Sequence, residues 1–210
     1  MAKSLKSVNH ARRGLSAKAL LSTLVVGVLL GAGLVAALLG SQQSADRKAG
    51  RTVPDFSGLV DTTGQTLHAG DLRDEPQLVF FGFTQCPDVC PATLSTVAAV
   101  LRRLPPAVAG RVHPVLITID PKTDNSQVLS RYVAGFDDRI HGLTGEPLRL
   151  QRLADAYGAV VGGARVTDHT ALLYLVAADG EVLRTFLPSA PPEAIAAAVE
   201  RAVRRFKKPA

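Results

Sequence analysis

The residues of this chain with the most evident chemistry are its two cysteines, Cys86 and Cys90, in the sequence FTQCPDVCP. Thiolates are strong nucleophiles and soft metal ligands. The C-x-x-x-C spacing places both sulfurs on one side of a helical turn, which suits a two-thiolate site for copper or zinc, and copper(I) especially. Thiol–disulfide exchange is the second interpretation, although it usually uses C-x-x-C. A purely structural disulfide is disfavoured, because it would close a very short loop and contribute little stability.

The elements around the cysteines prepare them for this chemistry. A nearly continuous apolar run, residues 77–83, predicts a strand buried on both faces, and a helix is predicted over residues 92–104. Pro91 suits the first turn of that helix, so Cys90 is expected at the helix N-terminus, where partial positive charge favours the thiolate. The pair therefore lies beyond the carboxyl end of a strand, where open α/β sheets bind ligands.

The chain after residue 52 alternates strand and helix patterns. The predicted elements are a hairpin over residues 56–68, strands at 77–83, 113–119, 171–176 and 182–187, and helices at 92–104, 126–136 (capped by Ser126), 147–157 and 192–206. The first strand–helix–strand unit implies a parallel pair with a right-handed crossover, and the late hairpin adds antiparallel strands. We therefore predict an α/β fold with a mixed sheet and flanking helices, of which the thioredoxin-like fold is the best-known form.

A long apolar segment precedes this domain. Residues 19–40 form a run of 22 residues without a charge, which is long enough to cross a bilayer as a helix. No A-x-A cleavage site follows, so an uncleaved signal anchor is predicted. The expected organisation is a cytoplasmic basic N-terminus at 1–18, the anchor at 19–40, a polar linker at 41–52 and an extracytoplasmic domain at 53–210. Gly27 and Gly31 fit the pattern of paired membrane helices, which makes a homodimer one expectation.

The charge of the chain, +6 overall, is concentrated at its two ends. Five of the 24 Lys and Arg residues precede Gly40 with no acid among them, which leaves 19 basic and 18 acidic residues in the remainder. The basic tail after residue 200 is interpreted as a solvated helix end. Because no basic face is indicated on the domain itself, nucleic acid is not an expected partner. The low cysteine count and the 47% hydrophobic content exclude a disulfide-dense scaffold and a disordered chain.

The histidines supply candidates for a third metal ligand. His169 differs from the other four because the sequence Asp168-His169-Thr170 directly precedes a predicted buried strand. Taken alone, a histidine in that position is more often structural than a ligand. His68, His113 and His141 are each predicted at the surface or in a turn. His10 precedes the predicted anchor.

Several motifs together resemble one known family. The stretch GFTQCPDVCP closely resembles the signature of the Sco/SenC copper-chaperone family. Further matches, in order along the chain, are Thr118-Ile-Asp120-Pro121, Gly142-Leu-Thr-Gly145, Tyr157-Gly158, Asp168-His169-Thr170 and Asp179-Gly180. The resemblance covers residues 53–187. It departs from the family at Lys122-Thr123-Asp124-Asn125, where members often have Arg-Asp-Thr, and in a short segment between Tyr157 and Asp168.

The resemblance implies a site. In the family the two motif cysteines and this histidine bind copper, which carries over to Cys86, Cys90 and His169. Thioredoxins commonly place a cis-proline and a threonine before the strand that faces their cysteines, and His169-Thr170 stands at the corresponding place here. Asp88 is expected to cap the helix or to approach the metal. Asp168 is expected either to orient His169 or to form a turn.

The resemblance also implies a function. Family members are membrane-anchored, thioredoxin-like proteins that help to build the dinuclear copper centre of cytochrome c oxidase. We therefore expect a copper carrier, rather than an enzyme, in a bacterial plasma membrane with its domain in the periplasm. Its expected partners are the copper-site subunit of the oxidase and a periplasmic copper donor or thiol reductant. The alternative function is a thiol–disulfide reductase that keeps the oxidase cysteines reduced.

Overall fold

The structure, a computed structural model, describes residues 51–159 and 172–206. Its ten regular elements within those ranges are β1 (Gln77–Gly82), α1 (Val89–Arg103), α2 (Pro106–Ala109), β2 (His113–Thr118), α3 (Ser126–Ala134), β3 (His141–Leu143), α4 (Pro147–Tyr157), β4 (Leu173–Val176), β5 (Val182–Phe186) and α5 (Pro192–Arg205). The predicted anchor at 19–40 and the predicted ligand His169 lie outside the described residues.

The strands form one mixed sheet in the order β3-β2-β1-β4-β5. Strand β1 is central and pairs in parallel with β2, which pairs in parallel with β3. On the other side, β1 pairs antiparallel with β4, and β4 pairs antiparallel with β5. The predicted parallel pair and the predicted late hairpin are both confirmed.

Two hydrophobic cores hold helices against both faces of this sheet. Because side chains alternate along a strand, Leu78 and Phe80 of β1 enter one core while Val79 and Phe81 enter the other. Helices α1, α3 and α5 cover the first face, and α4 covers the second together with Phe56 and its neighbours. This arrangement of helices around a mixed sheet is the predicted thioredoxin-like architecture.

The predicted hairpin before β1 is present as backbone pairing rather than as regular strands. The N–H of Gly58 donates to the carbonyl of Leu67 at 2.9 Å, and the N–H of Leu67 donates to Leu59 at 2.8 Å. A single bridge joins Val60 to Thr66. The segment is therefore paired as expected, but it is too short to extend the sheet.

Three details of the sequence prediction are wrong. His141 was expected in a turn but begins the three-residue strand β3, next to β2. The cap of α3 is Asn125, whose side chain accepts from the N–H of Val128 at 3.0 Å, so Ser126 is the first residue of the helix and not its cap. Helix α1 begins at Val89 and not at residue 92, although Pro91 lies in its first turn as predicted.

Candidate metal centre

The two cysteines lie together where β1 ends and α1 begins. Cys86 is in the connecting loop and is 8% exposed, whereas Cys90 is in the first turn of α1 and is fully buried. Neither is in a disulfide, and the backbone N–H of Cys90 donates to the sulfur of Cys86 at 3.4 Å. The predicted position of Cys90 at the helix N-terminus is confirmed. The pair is therefore a reduced dithiol with one sulfur at the edge of the surface and one inside.

The two thiols differ in acidity. Burial by itself would raise the pKa of Cys86, but hydrogen bonds from the backbone and thiol of Cys90 and from the N–H groups of Asp88 and Val89 outweigh it, so the pKa lies below its ordinary value. Burial raises the pKa of Cys90 to about 12, and the nearby Cys86 and Asp124 act in the same direction. Cys86 is thus the sulfur that ionises first, and Cys90 keeps its proton until a partner displaces it.

Gly82 makes room for the buried sulfur. A Cβ atom on this last residue of β1 would lie 2.9 Å from the Cys90 sulfur and 2.6 Å from a ring carbon of Phe80. Both contacts are shorter than side chains tolerate. Glycine at this position therefore lets α1 seat its cysteine directly against the end of the central strand.

A buried carboxylate, Asp124, ties the cysteine loop to the neighbouring strand. It is fully buried and accepts from the N–H and hydroxyl of Thr84, at 3.0 and 2.5 Å, and from the hydroxyl of Thr118 at 2.6 Å. Thr84 precedes Cys86 by two residues, and Thr118 ends β2. Sequence reasoning noted Asp124 only within a departure from the family pattern and missed this role.

Tyr132 is the second residue near the site that sequence reasoning missed. Burial, together with the charges of Cys90, Cys86 and Asp124, raises the pKa of its phenol to about 12. Its ring packs edge-on against Phe136 with centroids 5.3 Å apart. The phenol therefore lies within electrostatic reach of both sulfurs, on the helix that Asn125 caps.

The remaining predicted site residues have different outcomes. Asp88 occupies the N-cap position of α1 but its side chain makes no capping hydrogen bond, so the capping prediction is wrong. Asp168 and His169 lie outside the described residues, and their roles stay predictions. Among the residues that are described, no three His, Cys, Asp or Glu side chains converge to hold a metal.

The other three described histidines form no group of metal ligands with the cysteines. His68 is exposed. His113 pairs with Asp74 at 2.8 Å and stacks edge-on against His141 with ring centroids 5.5 Å apart. Burial lowers the pKa of His141. His113 thus contacts both Asp74 and His141, and the contact of His141 is with His113.

The family model described as SCO1/SenC matches residues 44–204 of the chain. The chain belongs to the SCO1/SenC family. A mitochondrial SCO2 homologue of Bos taurus is 32% identical over 208 residues, which covers 88% of this chain and 76% of the relative. The predicted family is therefore confirmed.

Solved structures of this family share the fold. ScoI of Bradyrhizobium japonicum, solved with copper bound, is 31% identical and superposes with a TM-score of 0.64. The alignment covers 71% of this chain and 99% of that one. BsSco, described as a cytochrome c oxidase assembly protein with a disulfide switch, is 22% identical, with a TM-score of 0.64 over 75% of this chain and 96% of that one, and it supports the fold alone. Over residues 51–159 and 172–206, no helix is long and apolar enough to cross a membrane.

Proposed function

We propose that this Sco protein carries copper through Cys86, Cys90 and His169 and delivers it to cytochrome c oxidase for assembly of the dinuclear copper centre. The observation that carries the proposal is the reduced dithiol at the N-terminus of α1, in a family whose Bradyrhizobium member holds copper. Two adjacent sulfurs in a mostly buried site suit the soft copper(I) ion. The copper is cargo, so the site must both bind it and release it.

Loading copper requires proton release. Metal ligands are thiolates, so Cys90, with its pKa near 12, must lose its proton when the metal arrives. Cys86 ionises more easily and offers the first contact, since it lies nearer the surface. We propose His169 as the third ligand, through a neutral imidazole, and Asp168 as the acceptor that orients it. Asp88 is exposed two residues from Cys86, but its carboxylate does not converge with the two sulfurs, so it is not counted among the ligands.

Copper binding should depend on the redox state of the cysteines. Oxidation of the pair to a disulfide removes two electrons and two protons and leaves no thiolate to bind metal. We expect the reduced protein to bind one copper(I) per chain and the oxidised protein to lose tight binding, as measured by elemental analysis after desalting.

A Cys86→Ser protein is the control for this experiment, because it cannot form the disulfide. It should bind copper weakly under both conditions. Equal copper retention by the reduced and oxidised wild-type protein would show that the cysteines are not the ligands.

The rival function, reduction of oxidase cysteines, would use the same two thiols. A thiol of lowered pKa near the surface, beside a fully buried thiol of raised pKa, also suits disulfide exchange. Such exchange needs no histidine. His169 therefore separates the two functions.

We further propose that residues 19–40 anchor the protein in a bacterial plasma membrane with the domain in the periplasm. The five basic residues before this segment favour a cytoplasmic N-terminus. A reporter that is active only in the periplasm, fused after Gly50, should therefore be active, and one that is active only in the cytoplasm should be silent. The opposite pattern would place the domain in the cytoplasm, on the other side of the membrane from its proposed partners.

A further inference from the structure

A buried phenol on α3, that of Tyr132, has no hydrogen-bond partner among the residues that the structure describes. Its ring packs edge-on against Phe136, but its hydroxyl oxygen is closed off from solvent. A buried hydroxyl without a partner costs free energy, and native proteins contain few such groups. A phenylalanine ring would fill the same space without this cost. The hydroxyl of Tyr132 therefore requires an explanation of its own.

The fold directs this phenol toward the cysteines. Helix α3 begins two residues after Asp124, which is hydrogen-bonded to Thr84 in the cysteine loop. Side chains on a helix point back toward its N-terminus, so Tyr132 reaches toward the end of α3 that Asp124 fixes beside that loop. Tyr132 also packs against the hydrophobic core that contains Cys86 and Cys90. Helix direction and packing thus bring the phenol to the same site.

The charges of the site act on the phenol as well. Burial raises the pKa of Tyr132, and the charges of Cys90, Cys86 and Asp124 act in the same direction. Of these three charges, that of Cys90 has the largest effect. The hydroxyl therefore lies close enough to Cys90 to interact with a charge on that sulfur.

Two other buried phenols show that burial alone does not mark a site. The hydroxyls of Tyr157 and Tyr174 are also buried without a hydrogen-bond partner in the described part of the chain. Both residues belong to the second core, on the face of the sheet opposite to the core of the cysteines. Their rings pack against each other and against Phe81. Tyr132 is distinguished from them by its place beside the two sulfurs.

Copper loading supplies the acceptor that the Tyr132 hydroxyl lacks. Cysteine binds a metal as the thiolate, which carries negative charge on its sulfur. A phenol O–H is a hydrogen-bond donor, and bonds to charged acceptors are stronger than bonds between neutral groups. The neutral thiol of the metal-free protein is only a weak acceptor. A hydrogen bond from Tyr132 to Cys90 would therefore favour the loaded protein over the metal-free one.

We propose that the hydroxyl of Tyr132 donates a hydrogen bond to the Cys90 thiolate of the copper-loaded protein and so stabilises the loaded state. Tyr132 is thus a positioning residue, because it acts on a ligand and not on the metal. The inference rests on the proposed function, since it requires copper at the two cysteines. It accounts for the buried hydroxyl by a partner that exists only when copper is bound.

The test is Tyr132→Phe, which removes the hydroxyl and keeps the ring. Copper(I) affinity is measured on the reduced full chain in detergent, by competition with a chelator. Loss of a hydrogen bond to a charged group should weaken binding about tenfold. The metal-free variant should be at least as stable to urea as the wild type, because the hydroxyl has no partner there. Tyr174→Phe removes a buried hydroxyl from the other core and should leave copper affinity unchanged.

Ultraviolet resonance Raman spectroscopy gives a second measurement, because the tyrosine bands report whether a phenol donates a hydrogen bond. The chain has three tyrosines and no tryptophan, so copper loading should change the signal of one phenol in the wild type and of none in Tyr132→Phe. Wild-type copper affinity in Tyr132→Phe, or an equal loss of affinity in Tyr174→Phe, would overturn this inference and leave the carrier function standing. A wild-type chain that binds no copper would overturn both.

Discussion

Replacing His169 with alanine is expected to weaken copper binding by more than about 100-fold, because changes in residues that merely orient a ligand already cost 10- to 100-fold. The imidazole is the third ligand of the proposed site, so its loss leaves the metal with two sulfurs. Binding of copper(II) should suffer most, since that ion requires more ligands than copper(I). The measurement is a competition titration against a copper chelator. In cells, cytochrome c oxidase assembly should fail.

The cysteines should remain functional in this variant. Thiolate attack on a disulfide needs Cys86 and Cys90 and no metal ligand, so His169→Ala should still form and lose its disulfide. His68→Ala is the matched control, because it removes an exposed histidine that is not a predicted ligand and should leave copper binding unchanged. Normal oxidase in His169→Ala cells, together with its loss in Cys86→Ser cells, would replace the carrier function by the thiol reductase.

Most of the fold could be predicted because the apolar runs that form strands and the residues that end helices are features of the local sequence. All six residues of β1 are buried, as the uninterrupted apolar run indicated. Gly158 ends α4 with a φ of 62°, a conformation that glycine adopts readily. Strand β3 was missed because three residues show no periodicity. It exists only through its pairing with β2, which no local pattern encodes.

The same distinction applies to the candidate site: contacts between residues close in the sequence could be predicted, and contacts that depend on strand pairing could not. Cys86 and Cys90 are four residues apart, so their meeting at a helix N-terminus is a property of local sequence. Asp124 is 40 residues from Thr84 and joins it only when β1 and β2 pair.

The second large effect is expected from Asp124→Ala. This change leaves two threonine hydroxyls and a backbone N–H without their acceptor, at a place where Thr118 is fully buried and Thr84 is half-buried. Each buried donor without a partner costs about 1–3 kcal/mol, so the free energy of unfolding should fall by about 3 kcal/mol. Urea denaturation measures this loss. Asp138→Ala, at an exposed aspartate, is the control and should change stability by less than about 0.5 kcal/mol.

Asp124→Asn separates the charge of this residue from its hydrogen bonds. The amide oxygen still accepts from a threonine hydroxyl, so the loss of stability should be smaller than in Asp124→Ala. The negative charge of Asp124 helps to raise the pKa of Cys90, and the neutral amide should therefore lower that pKa. Thiolate absorbance followed against pH in a Cys86→Ser background isolates the Cys90 titration. An unchanged Cys90 pKa in Asp124→Asn, with full stability in Asp124→Ala, would show that the buried carboxylate neither holds the cysteine loop nor controls its inner sulfur.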